Sequence, residues 1–111
     1  MALDFTHIKG DTFEAVNFAM ILNSAVLNLT GCTLRMQLRK EYGGVIFLSL
    51  TSVASAGITI TNASGGLFRI NRQIINIDAG NYIYDIELIK ADGTVKTYIS
   101  GNFVITNDVT R

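Results

Sequence analysis

Residues 78–88 read Asp78-Ala79-Gly80-Asn81-Tyr82-Ile83-Tyr84-Asp85-Ile86-Glu87-Leu88, and no other stretch constrains the fold as tightly. Tyr82, Tyr84, Ile86 and Leu88 alternate with Ile83, Asp85, Glu87 and Ile89. Alternation with period two marks a half-buried strand. The strand is entered through Asp78, the small residues Ala79 and Gly80, and then Tyr82. Small residues suit a chain that bends tightly, and a tyrosine hydroxyl can reach back to a carbonyl under the bend. Left unpaired, that carbonyl would cost roughly 1–3 kcal/mol.

The same period runs through the rest of the chain. Leu34, Met36 and Leu38 alternate with Arg35, Gln37 and Arg39. Strands are expected near 3–8, 12–22, 32–40, 45–50, 57–61, 66–71, 81–90 and 94–105. Turn signals separate them: Gly10-Asp11, Asn28 to Gly31, Gly43-Gly44, Asn62 to Gly66 and Asp92-Gly93. Asp92-Gly93 suits a primed hairpin turn, because both residues tolerate positive φ. Residues 72–79 form the longest connection without clear alternation. No segment shows a convincing helical stripe.

Seven or eight short strands at this spacing indicate an all-β sandwich or barrel. A tyrosine at the head of the strand that follows a crossover is the corner of immunoglobulin-type sandwiches. An immunoglobulin-like antiparallel β-sandwich is therefore expected, as one domain over residues 1–111, with Asp78, Gly80, Tyr82 and Tyr84 at its structural corner. The inter-sheet disulfide of those domains is excluded, since Tyr84 stands where its cysteine would be and Cys32 is the one cysteine.

Composition narrows function by exclusion. Charged residues make up 16% of the chain against a usual share of about 25%, and net charge is zero. The basic residues are scattered, which argues against a nucleic-acid partner. No apolar run approaches the ~20 residues of a membrane span. With one histidine, His7, in the first strand, and one cysteine, no metal-ligand spacing exists. Cys32 reads as a small hydrophobe. Asp85 and Glu87 share a strand face and read as solvated rather than as a carboxylate pair for glycoside chemistry. No catalytic residue, cofactor or metal is expected. No signal segment opens the chain, which reads as a complete cytosolic product.

A chain so poor in charge is weakly protected against self-association. Proline is absent, and Val45-Ile46-Phe47-Leu48-Ser49-Leu50 is apolar on both faces. An assembly interface is expected from Val45, Phe47, Ile83 and Ile89, with an N-terminal arm of Leu3 and Phe5 reaching a neighbour.

Several pieces occur in an order that resembles small structural proteins of tailed bacteriophages. They are Gly10-Asp11-Thr12-Phe13, Leu29 to Arg39, Gly66 to Ile70, Ala79 to Leu88, Asp92 to Val95 and Gly101 to Ile105. The order is similar to the immunoglobulin-like N-terminal domain of baseplate upper proteins and of related tail, neck and head-decoration proteins. The resemblance implies a non-enzymatic virion component, made in the host bacterial cytoplasm. Its implied partners are other phage structural proteins and copies of itself, in a homo-oligomer. The alternative is a carbohydrate-binding or adhesin-type module, weakened by the lack of tryptophan. A small β-scaffold hydrolase using His7 or Asp85 is a third, minor reading.

Overall fold

The computed structural model describes residues 3–109. The ends of the expected 1–111 domain, Met1-Ala2 and Thr110-Arg111, lie outside the described residues. Twelve strand segments run along the described chain: β1 Phe5–Ile8, β2 Thr12–Phe13, β3 Val16–Ala19, β4 Ile21–Leu22, β5 Ala25–Val26 and β6 Thr33–Arg39. After them come β7 Ile46–Thr51, β8 Ile58–Asn62, β9 Leu67–Ile70, β10 Gln73–Ile74, β11 Gly80–Ile89 and β12 Val95–Thr106. A short 3-10 turn, Val53–Ser55, interrupts them.

One sheet has the order β1-β12-β11-β6-β7, and a second has β3-β9-β8. This is an immunoglobulin-like β-sandwich, with β12, β11 and β6 as the G, F and C strands and β3, β9 and β8 as B, E and D. Among the named strands the expected antiparallel pairing has one departure: β1 runs parallel to β12, with Phe5 opposite Phe103. No hairpin joins these two strands, so no turn obliges them to run in opposite directions.

Alternation becomes burial directly. In β6 Leu34, Met36 and Leu38 point inward, and in β11 Tyr82, Tyr84, Ile86 and Leu88 do so. Phe68 and Ile70 of β9 and Ile58 of β8 face them from the other sheet. At about 25 cal/mol per Å² of apolar surface, this two-faced burial is the main force holding the layers together. Phe5, Phe13, Tyr84 and Phe103 close one end, with ring centroids 5.2 to 6.3 Å apart.

The turns depart from expectation in two places. At Asp92-Gly93 only Gly93 has positive φ, at 90°. The Gly93 amide donates to the Lys90 carbonyl, so a type I turn with a left-handed glycine replaces the primed turn. A hairpin with positive φ at both central residues, Asn23 and Ser24, instead joins β4 to β5. The single strand expected over 12–22 is instead broken at Glu14-Ala15 and at Met20 into β2, β3 and β4.

Candidate functional site

The corner is built from backbone accounting. Tyr82 is fully buried, and its hydroxyl donates to the Asp78 carbonyl at 2.6 Å. The Asp78 carboxylate stays outside, 3.4 Å from Lys9 Nζ. Gly80 is not sterically demanded, since a Cβ there would meet nothing nearer than Lys40 at 3.6 Å. Two residues on from Tyr82, the Tyr84 hydroxyl donates to the Leu3 carbonyl. Burial, and then the Asp4 carboxylate, push the Tyr84 phenol up to about 12. Burial, and then Asp78, raise Tyr82 as well.

The outer face of the five-stranded sheet gathers the polar side chains. Register sets its rows: Asp85 lies between Ser100 and Gln37, Glu87 between Thr97 and Arg35, and Ile83 between Asn102 and Arg39. With Asp4 and the turn residues Tyr42 and Gly43, Gln37, Arg39, Ile83, Asp85, Glu87, Ser100 and Asn102 of these rows line an open groove of about 570 Å³. Tyr42 is 94% exposed at its rim.

The guanidiniums here are already engaged. Arg35 Nη2 donates to Glu87 Oε2 at 2.6 Å. Arg39 donates to Gln37 Oε1 at 3.0 Å and to the Gly44 carbonyl at 2.5 Å. Neither hydrogen-bonds to Asp85. Burial, and then the neighbouring Glu87 charge, raise the Asp85 carboxyl, and Arg39 and Arg35 only partly offset this. The strong fixed donors are thus spent within the protein, while a central carboxylate keeps its acceptor capacity.

A second, apolar cleft of about 240 Å³ lies beside the β4–β5 hairpin. Phe18, Ala19, Met20, Ile21, Leu22, Leu27, Tyr98 and Ile99 line it.

The residues expected to form one assembly interface are dispersed. Leu3 and Phe5 do not form a free arm. The Leu3 amide donates to Ser100, and both side chains pack against the protein's own core. Phe47 sits at a register shift in β7 and packs edge-to-face on Tyr82 at 5.3 Å, with Lys40 over both rings. Ile83 lies in the floor of the polar groove. Ile89 is half-buried at the far end of β11, beyond Asp85 and Glu87, and Val45 is exposed in the turn before β7. His7 is buried within β1, with Nε2 3.0 Å from the Asp11 carbonyl and its ring against Phe13. Cys32 is half-buried against the core. Among the described residues no three His, Cys, Asp or Glu side chains gather as a metal site, and no helix is long and apolar enough to cross a membrane.

Of the groove residues, Gln37, Arg39, Asp85 and Glu87 are legible in the sequence as outward positions of two alternating strands. Asp4, Tyr42 and Asn102 are not, because strand pairing between distant segments brings them in.

No family model matches the chain, and no curated protein matches it. A solved structure with similarity is titled "The crystal structure of CopC from Methylosinus trichosporium OB3b", with TM-score 0.48 and 9% identity over 96% of this chain and 88% of that one. That solved structure is of a CopC and not of a phage component. The resemblance to tailed-phage structural proteins is overturned, and with it the virion role, the phage partners and the virion location. Its pieces are turns and alternating strands of the kind a β-sandwich of this size needs.

Proposed function

We propose that the chain is a non-enzymatic binding module whose ligand lies in the polar groove across β12, β11 and β6. The observation that carries this reading is Asp85: a raised, half-buried carboxylate at the centre of the groove, with both neighbouring guanidiniums held elsewhere. Such a floor favours a ligand rich in hydrogen-bond donors, supplied by hydroxyl or amine groups. Tyr42 at the rim offers a flat apolar surface beside it.

Catalysis fits the same groove poorly. Glu87 is tied to Arg35, and the groove is open, whereas electrostatic catalysis depends on a site that excludes water.

The test is an amide NMR titration of the whole chain with neutral oligosaccharides and, separately, a linear polyamine. Used at about 10 mM, these probes register even a binding free energy of roughly −2.7 kcal/mol. Shifts confined to Gln37, Asp85, Asn102 and their neighbours, lost in Asp85→Ala, support the reading. A groove that stays silent to both probes overturns it.

A further inference from the structure

Ile83 is an aliphatic side chain among the polar groups that line the groove, and the carboxylates of Asp4 and Asp85 stand beside it in two directions. The ladders fix where. Asp4 continues the register of β1, so it lies opposite Asn102, which in turn pairs with Ile83. The Leu3 amide donates to the Ser100 carbonyl at 2.9 Å, so the parallel register runs on past the end of β1. Asp85 follows Ile83 on the same face of β11 and pairs with Ser100. Two strand spacings of about 4.8 Å and two residues of about 3.4 Å place the Cα atoms of Asp4 and Asp85 roughly 12 Å apart.

The Asp4 carboxylate is fixed in advance. Its Oδ1 accepts the Asn102 amide at 2.9 Å, and a Cβ at Gly101 would lie 2.8 Å from that oxygen, so glycine is what leaves it room. The Leu3 carbonyl before it takes the Tyr84 hydroxyl. Among the described residues neither Asp4 nor Asp85 is in an ion pair. The third carboxylate of the groove, Glu87, is bound by Arg35, and Arg39 is spent on Gln37 and the Gly44 carbonyl. Three carboxylates against two guanidiniums leave an excess of negative charge, and it sits on Asp4 and Asp85.

We infer that the groove takes an elongated dication, with one ammonium group on Asp4, the other on Asp85, and an apolar spacer lying over Ile83 toward the Tyr42 ring. This rests on the groove being a binding site, and it narrows the ligand from hydroxyl or amine donors to a cation of set length. Charge selects ammonium over hydroxyl, because a hydrogen bond with both partners charged is roughly twice as strong as a neutral one. The separation of the carboxylates selects two ammonium groups on one chain, since the first bound end holds the second at high local concentration. Ile83 selects a methylene spacer, because a polar one would give up water over an aliphatic floor. The fixed Asp4 carboxylate spares part of the ordering cost of binding.

The test is an amide NMR titration of the whole chain with octamethylenediamine, butylamine and octamethylene glycol. The diamine reaches both carboxylates, butylamine reaches one, and the glycol has the diamine's length without its charge. The diamine is expected to bind about tenfold tighter than butylamine and to shift both the Asn102 and the Asp85 amides, with the glycol about tenfold weaker again. Asp4→Asn and Asp85→Asn should each bring the diamine down to the level of butylamine. Asp4→Asn keeps an oxygen for the Asn102 amide, so an unchanged spectrum away from the groove should accompany the loss. Raising salt from about 20 mM to about 500 mM should weaken the diamine several-fold, because exposed charges are screened. A diamine no tighter than butylamine, or a glycol that binds equally well, overturns the inference. If the glycol or an oligosaccharide binds and Asp85→Ala abolishes that binding, the groove remains a binding site and only the dication falls. Silence toward all of these probes removes both readings.

Discussion

Tyr84 and Gly101 face each other across the β11–β12 ladder, and the space a side chain would take at Gly101 is filled by the Leu3 carbonyl that Tyr84 bonds. The N-terminal segment is thereby locked over the last strand. The Asp4 carboxylate adds to the lock by accepting the Asn102 amide at 2.9 Å. Gly101→Ala should displace this segment, because the new Cβ collides with backbone rather than with a flexible side chain. We expect a loss of about 1–3 kcal/mol in urea unfolding, with overpacking as its cause. An unchanged midpoint would sink this account of the arm.

The corner makes a narrower prediction. Tyr82→Phe removes one hydroxyl and leaves the Asp78 carbonyl without its buried donor. The expected cost is about 1–3 kcal/mol. Asp78→Ala should cost less, since its side chain contributes only a surface ion pair with Lys9, of the class worth about 0–1 kcal/mol. The order of the two midpoints is the measurement, and the reverse order refutes the backbone reading of the corner.

Gly66→Ala places a Cβ at φ +69° and against the Leu27 and Met20 carbonyls. Destabilisation of about 1 kcal/mol or more is expected from the left-handed backbone alone. Hydrogen exchange should show earlier opening of residues 20–27 than in wild type. Uniform protection across that segment would show that the hairpin is not anchored there.

The folded-state pKa of Asp85 is raised, so the native protein holds that proton more tightly than the unfolded chain does. Its contribution to stability is therefore complete below the unfolded aspartate value, about 3.9, and is lost as pH rises through the raised native value. Asp85→Asn should then be more stable than wild type at neutral pH, with the difference vanishing in acid. Glu87→Gln should bring the Asp85 titration down toward its ordinary range in carboxyl NMR, because Glu87 is the charge that helps raise it. A titration that stays put would assign the shift to burial alone. Tyr84 follows the same sign at the other extreme: raised from 10.0 to about 12, it withdraws stability as pH climbs through that interval, and Tyr84→Phe removes this loss.

Two long strands are legible in the residues alone because their side chains alternate strictly. Leu34-Met36-Leu38 and Tyr82-Tyr84-Ile86-Leu88 leave only one way to bury an apolar face, and the expected bounds of 32–40 and 81–90 lie within one residue of β6 and β11 at every end. The β4–β5 hairpin is not legible in this way. Phe18, Met20 and Leu22 alternate right up to the reversal, and Asn23-Ser24 is a weak turn signal without glycine. The apolar edge around Phe47 reads locally as an outward face, since nothing in its neighbours reveals the register shift that lays its ring on Tyr82.

The chain by itself determined an all-β sandwich with a tyrosine at its bend, because periodicity and turn residues are local properties. Which outward residues meet was decided only by tertiary pairing. Asp4, Gln37, Tyr42, Asp85 and Asn102 come from separate stretches of chain, and only the ladders among β12, β11 and β6 bring them into one groove. Local pattern states which way a side chain faces. Its neighbours depend on strand order, which is fixed by the free energy of the whole core.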